Sequence, residues 1–91
     1  MQIIETDKYK KQLKEIVFYI KKDKVTASIE FVKSLKENVN NVTNFPYKYK
    51  KSIYYENENI RDMTFEGYTI VYEVFEDKIE IMTIFNQNKP S

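Results

Sequence analysis

The stretch Asn59–Pro90, NIRDMTFEGYTIVYEVFEDKIEIMTIFNQNKP, reads as three consecutive strands, and its reading decides the fold. Ile60 to Phe65 is extended in character. Glu66-Gly67 then carries the chain's one glycine, the residue type best suited to a tight turn. Tyr68 to Phe75 is rich in β-branched and aromatic residues, with Ile70, Tyr72 and Val74 on one face. Glu76-Asp77-Lys78 turns the chain again. Ile79 to Phe85 alternates, setting Ile79, Ile81, Thr83 and Phe85 opposite Glu80, Met82 and Ile84. Short turns between successive strands predict an antiparallel meander.

Upstream of this stretch the apolar period lengthens from that of a strand to that of a helix. Tyr9, Leu13, Ile16, Val17 and Ile20 share one face of a helix predicted from Asp7 to about Lys22. Asp23 reads as the N-cap of a second helix. In it Val25, Ile29, Val32, Leu35, Val39 and Val42 recur at spacings of three and four, as far as about Asn41. So short a joint makes the two helices antiparallel neighbours. Asn40, Asn41 and Asn44 supply turn chemistry, and Phe45-Pro46 ends the helical region, because proline pushes the residue before it toward extended geometry. Met1 to Glu5 reads as a short opening strand and Ser52 to Glu56 as a weak additional one. The predicted class is α+β in the order β-α-α-β-β-β. A two-helix antiparallel hairpin packs on a small antiparallel sheet, as one domain over residues 1–91.

Composition excludes several kinds of chemistry. A chain without cysteine or histidine has no disulfides, no usual zinc ligand set and no Ser–His–Asp or Cys–His constellation. One glycine is too few for a phosphate-cradling loop. The acids of the second half are spread along strands and turns without ligand spacing, so no metal site and no cofactor is expected. No apolar run reaches the roughly 18 to 20 residues that span a bilayer. The opening residues MQIIETDKYK contain acids and no apolar signal core, so the expectation is a cytoplasmic protein without a membrane partner.

The net charge of +1 hides an asymmetry. Residues 8–51 hold twelve lysines against four acids, a surplus of +8, whereas residues 52–91 hold three basic and eight acidic residues, a balance of −5. Either the basic half faces an acidic partner, or the exposed helix positions are simply filled with lysine, a good helix former. Arg61 is the only arginine beside fourteen lysines. Its planar fork suits bidentate binding of phosphate or carboxylate, and an edge-strand pair with Glu73 is the alternative. Tyr47 to Lys51, YKYKK, interleaves rings with cations as nucleic-acid contacts do, or is a solvated loop. Tyr54, Tyr55, Tyr68 and Tyr72 fit either core-edge positions or stacking platforms.

The ordered set of elements resembles the RelE/ParE superfamily of toxins from type II toxin–antitoxin modules. Ile60-Arg61-Asp62-Met63 resembles the family's arginine strand, and Gly67-Tyr68-Thr69-Ile70-Val71-Tyr72-Glu73-Val74 its "GY-x-I-x-Y-x-V" strand. Asp77-Lys78-Ile79-Glu80-Ile81 through Ile84-Phe85 resembles its closing strand, and the two helices and Pro46 fit as well. The resemblance implies growth arrest, a role in plasmid stabilisation, and a cognate antitoxin. Tyr9, Leu13, Ile16 and Ile20 would contact that antitoxin, in a homodimer or a toxin–antitoxin hetero-oligomer.

Within the superfamily, the residues point more toward the ParE-like branch, which is thought to poison DNA gyrase by binding. RelE-like nucleases carry arginine at the position filled here by Thr69, and their closing segment has arginine or histidine where this chain has Asn86, Gln87 and Asn88. The ParE-like ending "H-x-x-R" is represented by Asn86 and Lys89. For a gyrase poison the implied target-binding residues are Arg61, Asn86, Asn88 and Lys89. The alternative is a metal-independent, ribosome-dependent mRNA endoribonuclease using Lys48, Lys50, Lys51, Arg61 and Lys89 with a tyrosine. A degenerate, non-toxic antitoxin-binding homologue is the third reading.

Overall fold

Three of the six elements, β2 (Ile60–Phe65), β3 (Tyr68–Val74) and β4 (Lys78–Asn86), form the expected antiparallel meander in a computed structural model that describes residues 1–86. Glu66 and Gly67 connect β2 to β3 as a two-residue turn with φ of 46° and 86°. Paired positive φ values match the right-handed twist of the flanking strands, and Gly67 takes the more demanding one without strain. The opening strand β1 (Gln2–Glu5) adds to β4 in parallel, giving the sheet order β1-β4-β3-β2. The α+β class therefore stands. The expected antiparallel sheet is a mixed one, because the helical hairpin carries the chain back to the far edge before the meander begins.

Helices α1 (Asp7–Asp23) and α2 (Val25–Asn41) pack on one face of this sheet. Thr6 fastens the start of α1 to β4. Its hydroxyl accepts from the Tyr9 N–H at 3.3 Å and donates to the carbonyls of Ile81 and Met82 at 2.8 and 3.1 Å. Asp23 is not the cap of α2 but the last residue of α1. The single extended residue Lys24 ends one helix and begins the next, donating its N–H to Ile20 O and accepting from Ser28 N. With a joint this short, no residue is left over for a side-chain cap.

The core lies between hairpin and sheet. Tyr9, Phe31, Leu35, Val39 and Val42 meet Met63, Phe65, Ile70, Tyr72, Val74, Ile79, Ile81 and Ile84. Leu13, Ile16 and Ile20 pack against this cluster from its margin. The periodic stripe of α2 is only partly the buried one. Val25 and Ile29 are 52% and 63% exposed, and the buried face runs through Ser28, Phe31, Leu35 and Val39 instead. Ser28 and Phe31, the latter against Phe65 and Tyr68, face inward in the first two turns of α2, and Val25 and Ile29 lie off that face.

The alternation expected for β4 breaks at Met82. Val71 pairs with Thr83 but Tyr72 with Ile81, which leaves Met82 as the extra residue of a β-bulge. The bulge brings Ile84 onto the core face with Ile79 and Ile81, and sends Phe85 to the opposite face with Ile60 and Val71. Beyond the end of β1, Gln12 from α1 takes over this edge. Its Oε1 accepts from the Ile84 N–H at 3.0 Å and the Thr83 hydroxyl at 2.7 Å.

Burial, and secondarily the charge of Glu5, pushes the Tyr9 hydroxyl up to about 12 from 10.0. The folded state thus holds this proton more tightly than the unfolded state does. The stabilisation is complete below pH 10.0 and is lost as the pH rises from there to about 12. Alkaline unfolding is expected to set in within that window, and Tyr9→Phe should flatten this limb of the stability curve. An unchanged limb in denaturant titrations across the window would rule Tyr9 out as its source.

Candidate functional site

Between Asn41 and Ile60 the chain forms no regular strand, and the additional strand expected over Ser52 to Glu56 is not there. A single antiparallel bridge, Lys51 to Arg61, joins this segment to β2. Two backbone bonds flank it, Ser52 N to Ile60 O at 2.8 Å and Asp62 N to Lys50 O at 3.1 Å. The rest of the segment is held by side chains reaching out from the sheet.

Arg61, second residue of β2, is the centre of that arrangement. Its Nε donates to the Glu58 carbonyl at 2.9 Å, and its Nη1 donates to the Tyr49 carbonyl at 3.1 Å. Its guanidinium carbon lies 4.8 Å from the centroid of the Tyr47 ring, a cation–π contact. Tyr47 is held at its other end, where its hydroxyl donates to Asn59 Oδ1 at 2.8 Å. Arg61 does not pair with Glu73, whose backbone is in register with Ile60. Two N–H groups of the fork suited to an external anion are turned onto carbonyls of its own loop.

Tyr72, in register with Arg61, anchors the beginning of the loop by donating to the Pro46 carbonyl at 2.6 Å. Burial pushes its hydroxyl well above the ordinary tyrosine range. Arg61 pulls in the other direction, and Tyr49 and Tyr47 add smaller upward contributions. Tyr68 is likewise raised, by burial first and by Tyr19 second. These three tyrosines, Tyr9 included, hold their protons and are poorly suited to act as general bases at neutral pH.

Asp62 points the opposite way from Arg61, as alternate strand residues do. It is 3% exposed, and its Oδ2 accepts from the Ile53 N–H at 3.1 Å, while Oδ1 is buried without a hydrogen-bond partner. The Tyr54 ring meets Phe85 edge-on at 5.3 Å, so the loop folds over the outer face of the sheet.

Lys48, Lys50 and Lys51 are exposed on this loop, Lys48 lying 5.6 Å from the centre of the Tyr49 ring. Asn86 closes β4, exposed and in register with Tyr68. Asn88 and Lys89 lie outside the described residues. The structure thus brings Arg61 and the lysine-bearing loop together, and among the described residues no acid–base pair is assembled there. Among the described residues, no group of histidine, cysteine or carboxylate side chains is placed to hold a metal ion. No helix among them is long and apolar enough to cross a membrane.

The residues expected to meet an antitoxin are placed unevenly. Tyr9 is 2% exposed and belongs to the core, so it offers no docking surface. Leu13, Ile16 and Ile20 are half-buried. The exposed apolar residues of the hairpin are Phe18, Tyr19, Val25 and Ile29, gathered around the Lys24 joint. Phe18 and Tyr19 stand on the last turns of an otherwise lysine-rich helix, and only their exposure identifies them. Among the described residues the one ion pair is Lys78 to Glu80 at 3.1 Å, so the helix lysines meet no carboxylate.

Comparison with known proteins gives a family and solved structures of similar fold. The family model described as "ParE toxin of type II toxin-antitoxin system, parDE" matches residues 3–90. Among solved structures, the chain is similar to one titled "Chromosomal ParDE TA system from P. aeruginosa", with a TM-score of 0.75 at 19% identity. That alignment covers 94% of this chain and 95% of the other. No curated protein matches by sequence.

Proposed function

Because the chain belongs to the ParE toxin family of type II toxin–antitoxin systems, we propose that it poisons DNA gyrase by binding and is held inactive by a cognate antitoxin. The observation that carries this reading over mRNA cleavage is the state of Arg61. Two of its donors are turned onto the carbonyls of Glu58 and Tyr49 rather than toward an open site. The raised tyrosines supply no base beside it. A protein that acts by occupying its target needs no such pair.

Antitoxin docking is supported by the hairpin's surface. Phe18, Tyr19, Val25 and Ile29 supply the apolar part, flanked by lysines that meet no carboxylate among the described residues, Lys22 lying 5.1 Å from the centre of the Phe18 ring. An amphipathic helix with acidic flanks matches both the apolar residues and the charge. Strand addition at a sheet edge is the complementary contact.

Inducing the chain in bacteria that carry a DNA-damage reporter tests the target. Growth arrest with the reporter on is the expected result. Arrest with a silent reporter and new codon-phased mRNA 5′ ends would move the activity to the ribosome. No arrest, with an antitoxin complex still recovered, would mark a non-toxic binding homologue.

A further inference from the structure

We propose that the loop from Phe45 to Tyr55 is a binding surface for single-stranded nucleic acid, with Tyr47 as its stacking platform. It stands apart from the gyrase reading, since neither requires the other. The eleven residues FPYKYKKSIYY contain five aromatic rings and three lysines and no carboxylate. Tyr49 packs against the core and Tyr54 against Phe85, so Phe45 and Tyr47 are the rings beside the lysines left open. Phe45 is 70% and Tyr47 50% exposed, an unusual position for two neighbouring rings. An open depression of about 620 Å³ lies beside them, lined by Asn44, Phe45, Pro46, Tyr47 and Lys48.

Tyr47 differs from an ordinary exposed tyrosine in being immobilised beforehand. Arg61 lies over its ring at 4.8 Å, and Asn59 holds its hydroxyl at 2.8 Å. A ring already fixed in place loses little side-chain freedom when a second plane stacks on it. The Arg61 contacts that the gyrase reading leaves without a purpose thus acquire one: they position Tyr47.

The chemistry of the occupant follows from the pairing of rings with cations. Lys48, Lys50 and Lys51 attract phosphates, and the rings need flat, unpaired faces to stack on. Rings interleaved residue by residue with cations match the alternation of base and phosphate along a strand, whereas an amphipathic peptide sets its apolar and acidic residues on separate faces. A duplex hides its base faces, so the single strand is the better fit.

The test is fluorescence anisotropy of a labelled oligothymidine of about twelve nucleotides, a length within the range such surfaces cover. It is titrated with the whole chain at about 50 and about 200 mM salt. Binding that weakens with salt is expected, and Tyr47→Ala should weaken it roughly tenfold or more. Phe45→Ala is the second variant, since that exposed side chain holds no other part of the loop, and its loss should weaken binding while leaving thermal unfolding unchanged. Lys48→Gln with Lys50→Gln should reduce the log–log salt slope by about 1.4, from roughly 0.7 per phosphate contact.

Wild-type binding in both ring variants would overturn the platform. Equal binding of a duplex of the same length would overturn it too, leaving charge alone. No binding at low salt would assign the rings to a protein partner and end the proposal. None of these outcomes bears on the reporter signal of an induced strain.

Discussion

Arg61→Ala is expected to lower stability by about 3 kcal/mol and to release the loop between Pro46 and Asn59 from the sheet. Two hydrogen bonds from a charged donor contribute about 1.5 to 3 kcal/mol each in buried settings. The half-buried position of Arg61 places both near or below the low end. The cation–π contact with Tyr47 adds roughly 0.5 to 1 kcal/mol. For a domain of this size the sum corresponds to a fall in Tm of roughly 12 to 24 °C. Arg61→Lys should recover less than half of it, because an ammonium cannot reach two carbonyls and lie flat on a ring together. Hydrogen exchange supplies the local readout, with the amides of Ser52 and Asp62 losing protection first. A Tm within about 2 °C of wild type, on the same scale, would dismiss Arg61 as the loop's anchor. Lost toxicity in Arg61→Ala would therefore report on the loop, and only comparison with Tyr47→Ala and Arg61→Lys would separate a direct contact from a positioning one.

Tyr19→Glu combined with Ile29→Glu is expected to weaken antitoxin binding by at least about 30-fold, since apolar anchors at the centre of an interface contribute roughly 2 kcal/mol or more. The free protein should keep its stability to within about 0.5 kcal/mol, as exposed substitutions do. Both residues are well exposed, at 74% and 63%. On the proposed function, cells expressing this variant together with the antitoxin should stop growing, whereas cells expressing wild type with it should continue. Unchanged co-purification would move the docking site elsewhere. Leu35→Ala is the contrasting control: Leu35 is fully buried, and its truncation should cost about 2 to 5 kcal/mol whether or not the antitoxin is present.

Local chemistry made the elements legible. Strand propensity, the Glu66-Gly67 turn and the apolar period of α1 depend on neighbours in sequence, and all three read correctly. What escaped depends on partners far along the chain. Thr6 caps α1 with a hydroxyl that also serves β4, and the boundary before α2 falls at Lys24, one residue beyond the Asp23 expected to cap it. The bulge at Met82 has no local signal, since it arises from how β4 meets β3 while Gln12 and Thr6 fill its other edge. Val25 and Ile29 share the helical period of the stripe, but the buried face of α2 runs through Ser28 and Phe31 beside them. Arg61 was recognisable as the singular residue of the site. That its fork turns back on Glu58 and Tyr49 follows from the path of the loop, which no spacing encodes.

The parallel pairing of β1 with β4 also sets an order of events during synthesis. The first strand made has one partner in the sheet, and that partner is the last of the six elements to be made. At about 5 to 20 residues per second, several seconds separate the two. During that interval the basic hairpin has been made while its core face has no completed sheet to cover it. The sheet is therefore expected to be completed only once β4 has been made, and on the proposed function an antitoxin already present has those seconds to find the hairpin first. Ribosome-bound chains stalled before β4 should then capture antitoxin while remaining harmless.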